Sequence, residues 1–180
     1  MNIQKRAKDF NTKMDEIAYA LVQKLQEILK HERGHFAFYL QALMVVRGPS
    51  RLYVKPLFEK EMQSELEHIR QFGDKLVALG HYPDTDVKYV DCGGGLRGWL
   101  TTPELIQRAV DMERDVLALY NEVYPLAEEY GTLVGDMSVA LLLEENIEHT
   151  TEDVEELEKL LVVDQPANQD LRYNQHCSGR

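Results

Sequence analysis

Glu65 and His68 stand one helical turn apart in the sequence, within a segment whose pattern predicts a helix. The apolar residues Met62, Ile69 and Phe72 fall on the same face of that helix. Because burying a charge without a partner is costly, this pair requires a compensating group. Carboxylate oxygen and imidazole nitrogen are both ligands for iron, manganese and zinc, so a bound metal is one such group. For a single Glu-x-x-His pattern the alternative is a buried histidine bonded to its own helical neighbour.

The same residue types recur with matched spacing in the two halves of the chain. Each half contains a glutamate, a tyrosine seven residues later and a histidine at one common offset: Glu32, Tyr39 and His68, then Glu113, Tyr120 and His149. The recurrence predicts two equivalent helix pairs that face each other. Metal-binding four-helix bundles use one Glu from each of two helices and a Glu-x-x-His from each of the other two. One position departs from this pattern, because Asn146 stands three residues before His149.

The first helix contains two further histidines. His35 follows Glu32 by three residues and is a candidate additional ligand or hydrogen-bond donor. The alternative is a partly exposed histidine at the edge of the apolar stripe. We expect His31 to point away from this face, toward solvent.

Two acidic residues of the last helix are also candidates. Asp153 lies four residues after His149, where it could orient the imidazole ring or bind a metal directly. Glu145 could compensate for Asn146 through a local shift in helix register, although its position is turned off the core face.

Composition sets the class of protein. The chain has 180 residues, enough for one domain, and a net charge of −11. This acidity argues against general nucleic-acid binding and suits a protein that attracts cations. Two cysteines, Cys92 and Cys177, are too few for a disulfide scaffold. Without an apolar N-terminal run or a long uncharged stretch, we expect a cytoplasmic protein without a membrane span.

The periodicity predicts an all-α fold, a four-helix bundle with a long crossover between helices 2 and 3. The bundle occupies residues 12–161, between a flexible N-terminal tail at 1–11 and an extended or disordered tail at 162–180. The predicted helices run from about 12 to 46, from 53–56 to 80, from 102 to about 130, and from 134 to 161. Gly131 is expected to end the third helix, and Pro125 to kink it. The glycine-rich segment 80–101 is the predicted crossover.

Four segments in this order resemble the ferritin-like superfamily, specifically bacterioferritins and Dps-like miniferritins. The stretch from Glu32 to Tyr39 is similar to the first-helix signature of bacterioferritins. Glu65-Leu66-Glu67-His68 resembles the second-helix motif, and Met112-Glu113-Arg114 the third. Leu143-Glu144-Glu145-Asn146-Ile147-Glu148-His149 resembles the fourth. The resemblance covers roughly residues 20–161.

The resemblance implies a di-iron ferroxidase that oxidises Fe(II) with O2 or H2O2 inside a protein cage of 12 or 24 identical subunits. It implies two iron ions per subunit, with manganese or zinc as alternatives. Glu32 and His68 would hold one ion, Glu113 and His149 the other, and Glu65 would bridge them as the catalytic carboxylate. Tyr39 and Tyr120 would hydrogen-bond to metal-bound carboxylates. Asn146 stands in place of a bridging glutamate and is itself a candidate metal ligand. Leu66 replaces the haem-ligating methionine, so no haem is expected.

Two other functions remain open from the sequence. One is a different di-metal oxidoreductase on the same bundle: a peroxidase, a manganese catalase or an oxygenase. An oxygenase should have an apolar substrate pocket beside the metals. The other is a helical assembly protein whose metal site has degraded, with Asn146 as the main support.

Overall fold

The computed structural model describes residues 3–90 and 99–163, with side chains within 12–90 and 99–161. Across these ranges the chain forms α1 (Ile3–Val45), α2 (Arg51–Ala78), α3 (Thr102–Val134) and α4 (Ser138–Val163). The predicted all-α four-helix bundle is confirmed.

The ends of the chain differ from the prediction. Helix α1 begins at Ile3 rather than near Thr12, so the structure places helix over most of the segment where we expect a tail. Helix α4 continues to Val163, and the remainder of the predicted C-terminal tail lies outside the described residues. Residues 91–98 also lie outside them, and they include Cys92 and the glycine run of the crossover.

Helix α3 starts as its sequence predicts and ends later. The Thr101 backbone N–H donates to Glu104 Oε2 (2.7 Å), and the Thr101 side chain accepts from the Glu104 backbone N–H, which is a complete capping box. Gly131 does not end the helix, and neither does Pro125, which lies inside it. The helix ends at Val134 and is capped by Gly135, whose φ of 75° is in the left-handed region that glycine favours. Gly131 is instead needed for packing, since a Cβ there would lie 2.9 Å from the Asp136 carbonyl oxygen.

The four helices form antiparallel pairs around two apolar clusters. One cluster joins the 21–29 region of α1 to the 116–127 region of α3, and the other joins 38–46 to 105–112. Residue numbers rise along α1 while they fall along α3, so these two helices are antiparallel. The segments between the clusters carry the buried glutamates and histidines. The apolar packing therefore encloses a polar layer from both ends.

The described part of the crossover, from His81 to Val90, lies along α1. The Lys88 N–H donates to the Lys30 carbonyl (2.9 Å), and Gln26 bonds to the backbone of Tyr82 and Asp84. At Gly34 the two segments approach so closely that a Cβ would lie 2.0 Å from the Lys88 carbonyl oxygen. Glycine at this position lets the crossover pack directly over the polar layer.

Among the helices of the described residues, none has the length and apolar character needed to cross a membrane.

Candidate metal centre

Five buried side chains from three helices meet in the polar layer. Glu32 and His35 lie one turn apart on α1, Glu65 and His68 lie one turn apart on α2, and Glu113 projects from α3. A separation of three residues brings two side chains onto the same helical face. Each of the first two helices therefore presents a carboxylate and an imidazole to the bundle interior.

The first group consists of Glu32, Glu65 and His68. The His68 Nδ1 atom lies 3.1 Å from Glu32 Oε2 and 3.8 Å from Glu65 Oε2. The three residues offer ligand atoms within 4.8 Å of one another, and all three are buried. Such a spacing places two oxygens and one nitrogen around a point that one metal ion could occupy.

The second group consists of His35, Glu65 and Glu113. The His35 Nδ1 atom lies 3.5 Å from Glu65 Oε1 and 3.9 Å from Glu113 Oε1. This group also offers three ligand atoms within 4.8 Å of one another. Glu65 belongs to both groups and turns a different oxygen toward each histidine. The arrangement suits two ions with the Glu65 carboxylate between them.

Two buried tyrosines connect the halves of the bundle. Tyr39 on α1 donates to Glu113 Oε1 on α3 (2.6 Å), and Tyr120 on α3 donates to Glu32 Oε1 on α1. Each tyrosine follows the glutamate of its own helix by seven residues but bonds to the glutamate of the other helix. Antiparallel packing of α1 and α3 produces this reciprocal exchange. The two bonds fix the orientation of both carboxylates.

Burial and charge shift the pKa values of the five groups. Burial, together with Glu65, raises the pKa of Glu32 to about 7 and that of Glu113 well above its ordinary value. Burial acts to lower the histidine pKa values, but the carboxylates outweigh it and raise the pKa of His35 to about 9 and that of His68 to about 11. Although burial opposes it, contact with both histidines lowers the pKa of Glu65. Without a metal, both imidazoles are therefore protonated at neutral pH beside the charged Glu65 carboxylate, and bound cations would displace those protons.

Two polar atoms of the centre are left without hydrogen bonds. Glu65 Oε2 and His35 Nδ1 are buried and have no hydrogen-bond partner among the described residues. Leaving such atoms unsatisfied is costly in a protein interior. A carboxylate oxygen and an imidazole nitrogen are both donors for iron, so the residues present fit a pair of such ions.

The prediction that His149 shares this face is wrong. Its side chain is exposed, whereas Asn146 and Thr150 on the same helix are buried. Residues three and four positions after Asn146 differ by about 100° around the helix axis. Helix α4 turns Thr150, four residues after Asn146, toward the interior and His149, three residues after Asn146, toward solvent. His35, from α1, occupies the second imidazole position instead.

The two remaining candidates on α4, Asn146 and Glu145, differ in burial. Asn146 is buried, but its Nδ2 donates to the Leu142 carbonyl (2.8 Å), and its Oδ1 has no partner among the described residues. Glu145 is exposed, as expected from its position off the core face. Glu145 belongs to none of the groups of His, Cys, Asp and Glu side chains that could hold a metal ion within the described chain.

Asp153 and His31 occupy unexpected positions. Asp153 is buried and contributes to a separate acidic group with Glu61 and Glu156, not to the environment of His149. His31 is buried rather than solvent-exposed, and burial lowers its pKa to about 4. Glu61 was not a sequence candidate. The sequence does contain a pattern that indicates its burial, because Glu61 lies four residues before Glu65 on the buried stripe of α2.

A surface cavity of about 300 Å³ reaches the His35 side of the centre. It lies between α1, α3 and the crossover, and most of the side chains around it are polar or charged. Its lining residues are His35, Lys88, Tyr89, Val90, Arg108, Asp111, Met112 and Asp115. The lining thus combines charged side chains with apolar surface from Tyr89, Val90 and Met112.

The helix order, the crossover and the buried carboxylates place this protein in the class of four-helix bundles with a carboxylate-rich interior. The sequence model of the ferritin-like domain matches residues 22–165, more than half of the chain. The chain therefore belongs to the ferritin-like domain family. Comparison with curated proteins gives no match.

Solved structures share the fold at low sequence identity. A ferritin-like, diiron-carboxylate protein from Bacillus anthracis is 24% identical with a TM-score of 0.69, covering 81% of this chain and 97% of its own. Dps from Thermosynechococcus elongatus is 17% identical with a TM-score of 0.73, covering 83% and 94%. A dodecameric thioferritin, the bacterioferritin-related protein of Bacteroides fragilis, is 20% identical with a TM-score of 0.71, covering 89% and 94%.

Proposed function

We propose that this protein is a ferroxidase that binds two ferrous ions in each subunit and oxidises them for storage or detoxification. The observation that carries this proposal is the pair of three-donor groups that share Glu65. Membership of the ferritin-like domain family agrees with it. The similarity to diiron-carboxylate and Dps structures supports the same reading.

Each residue of the centre has a defined role in this proposal. Glu32 and His68 hold one ferrous ion, His35 and Glu113 hold the other, and Glu65 lies between both. Tyr39 and Tyr120 keep the two outer carboxylates oriented through their hydrogen bonds.

The reaction balances with an external oxidant. Two ferrous ions lose one electron each, and the two electrons with two protons convert O2 to H2O2, or H2O2 to two water molecules. Carboxylate ligands favour the harder ferric product. The cavity beside His35 gives a small oxidant a route to the centre.

Assembly into a closed homo-oligomer is part of the proposal. The Bacteroides fragilis thioferritin with the same fold is dodecameric. A closed shell would retain the ferric product, and the net charge of −11 per chain suits the collection of cations.

One alternative raised by the sequence is a helical assembly protein whose metal site has degraded. A degraded site would lack donors, but both candidate groups are complete without Asn146.

Anaerobic ferrous titration followed by a pulse of O2 or H2O2 tests the proposal. The wild-type protein should bind two ferrous ions per subunit and oxidise both rapidly. Glu65→Ala should abolish rapid oxidation, because it removes the carboxylate that both groups share. Glu67→Ala is the matched control, since Glu67 is an exposed glutamate of the same helix that pairs with Arg70 (2.8 Å). Oxidation at the wild-type rate by Glu65→Ala would show that the centre lies elsewhere.

A further inference from the structure

The cavity beside His35 is larger than O2 or H2O2 requires. Its volume is about 300 Å³. Pockets that bind small organic molecules begin at roughly this volume. One water molecule takes about 30 Å³ in the liquid, and O2 and H2O2 are of similar size. The cavity therefore has room for a molecule that extends well beyond the two oxygen atoms that would react at the centre.

The lining of the cavity joins a residue of the centre to apolar side chains. His35 lines it from α1 and belongs to one of the two proposed ligand groups. Val90 of the crossover and Met112 of α3 line it as well, and both pack in the apolar cluster that joins α1 to α3. A molecule in this cavity would therefore contact apolar surface and the centre at the same time.

The charged side chains of the lining compensate one another. They are two cations and two anions, namely Lys88, Arg108, Asp111 and Asp115. Lys88 Nζ donates to Asp115 Oδ2 (3.3 Å). Asp111 Oδ1 accepts from Gln107 Nε2 (2.9 Å). Because the four charges sum to zero, an ionic ligand gains no net attraction here, and a neutral molecule enters without the cost of burying a charge.

Arg108 brings hydrogen-bond donors to this lining. A guanidinium carries five N–H donors and no acceptor, so it binds oxygen atoms. Arg108 forms no ion pair or hydrogen bond with any residue in 12–90 or 99–161. Together with the apolar side chains, these donors suit an amphipathic molecule that has oxygen atoms at one end and an apolar body.

We propose that this cavity binds a small, neutral organic hydroperoxide as an oxidant of the ferrous pair, with Val90 and Met112 against its apolar body and Arg108 donating to its oxygen atoms. The inference rests on the proposed ferroxidase function and names the class of its oxidant. Two ferrous ions lose one electron each, and the O–O bond of the hydroperoxide ROOH breaks. The two electrons and two protons convert ROOH into the alcohol ROH and one water molecule.

Oxidation of anaerobically loaded ferrous protein by cumene hydroperoxide or by H2O2 tests the oxidant class. Wild-type protein should react rapidly with cumene hydroperoxide and form one alcohol molecule per two ferric ions. Val90→Phe should lower the ratio of the cumene hydroperoxide rate to the H2O2 rate at least about tenfold, because the ring takes space that the apolar body needs. Val87→Phe is the matched control, since Val87 is an exposed valine of the same crossover and does not line the cavity.

Binding of cumyl alcohol, which is the reduction product of cumene hydroperoxide, tests the cavity without iron or turnover. Ligand-observed NMR on the metal-free protein should show saturable binding to the wild type and to Val87→Phe. Binding to Val90→Phe should be at least about tenfold weaker. Val90→Leu, which fills less of the cavity, should give an intermediate affinity. Equal affinity of wild type and folded Val90→Phe would overturn the site.

The possible failures have different signatures. Rapid oxidation by H2O2 but not by cumene hydroperoxide would refute the oxidant class and leave the ferroxidase function intact. An unchanged rate ratio in Val90→Phe would show that both oxidants share a passage without a hydroperoxide site. Failure of the ferroxidase function itself would appear as slow oxidation by O2 and H2O2 as well. Helical circular dichroism confirms that each variant is folded, and Val90→Leu gives the same comparison if Val90→Phe is not.

Discussion

In the structure, the second imidazole of the centre comes from α1, whereas the sequence predicted that it would come from α4. This difference predicts how many metal ions each histidine variant binds. Replacement of His35 by Ala should reduce ferrous binding from two ions to one per subunit. His149→Ala should leave two ions bound, because the His149 side chain is exposed and outside both candidate groups. The pair is a matched comparison, since the same substitution is made at the two histidines that compete for one role.

The size of the effect follows from the donor sets. His35 supplies the one nitrogen of its group, and without it the second ion keeps only Glu113 and a carboxylate already shared with the first ion. Replacing residues that merely orient a ligand lowers metal affinity roughly 10–100-fold. Loss of the ligand itself should therefore cost at least about 100-fold, or about 2.7 kcal/mol of binding free energy. The group of Glu32, Glu65 and His68 keeps all its donors.

Stability must be measured beside affinity. His35 is buried and in contact with Glu65, and its pKa of about 9 means that it is protonated at neutral pH. Removing one partner of a buried ion pair costs roughly 3–5 kcal/mol. This is a large part of the roughly 5–15 kcal/mol that stabilises a typical domain. His35→Gln, which retains a hydrogen-bond donor, is the second variant if His35→Ala unfolds.

Anaerobic ferrous titration, read by calorimetry and by the absorbance change after an oxidant pulse, gives the stoichiometry. One ion in both His35 variants and two in His149→Ala is the expected result. If His149→Ala loses an ion while a folded His35 variant keeps two, the arrangement of α4 described above is wrong.

Three further predictions concern stability. Tyr120→Phe removes a hydroxyl that donates to a buried carboxylate, and should lower the free energy of unfolding of the metal-free protein by about 1–3 kcal/mol in denaturant titrations; no measurable change would show that this bond contributes nothing. The pKa of His35 rises from 6.5 to about 9 on folding, and that of His68 rises further, so their contribution is complete below pH 6.5 and declines as pH rises to about 9. The Tm of the metal-free protein should fall over that range while ferrous affinity increases, and parallel trends would contradict the assigned protonation. Gly34→Ala should lower the free energy of unfolding by about 1–3 kcal/mol, since its Cβ would lie 2.0 Å from a backbone oxygen of the crossover. Gly73→Ala, whose Cβ would lie 3.9 Å from its nearest neighbour, should raise the free energy of unfolding by up to about 1 kcal/mol. Equal Tm values for the two variants would refute the close approach at Gly34.

Helix identity and order were predictable because the apolar period and the capping residues act locally. Thr102, Pro103 and Glu104 predict the start of α3 with Thr102 as its cap, and the structure places the cap one residue earlier, at Thr101, in a capping box with Glu104. The end of α3 was predicted too early because Gly131 has two possible uses. Glycine can end a helix or admit a neighbouring chain, and only the tertiary contact with Asp136 and Met137 decides between them.

The glutamates of the centre were predictable because repeated spacing predicts equivalent positions. Glu32, Glu65 and Glu113 lie together in the structure, as the recurrence indicates. The position of His149 was not predictable in this way, since an equal offset along the chain does not guarantee equal rotation about a helix axis. The face of α4 includes Thr150, so the residue before it turns toward solvent.

Glu61 shows a limit of reading motifs alone. The sequence argument starts from Glu-x-x-His and assigns no role to Glu61. Glu61 nevertheless occupies the buried stripe of α2, and its partners Asp153 and Glu156 come from a helix far along the chain. Only the packing of α2 against α4 brings these three together.

The reciprocal tyrosine bonds explain why two histidines from adjacent helices can serve a symmetric centre. Antiparallel α1 and α3 exchange Tyr39 and Tyr120, so Glu32 and Glu113 are related by an approximate two-fold axis. The imidazoles do not need to follow that axis, because each has only to reach one oxygen of Glu65. His68 does so from its own helix and His35 does so from α1. An asparagine on α4 is therefore compatible with two complete groups, and the catalytic proposal depends on Glu65 rather than on the symmetry of the sequence.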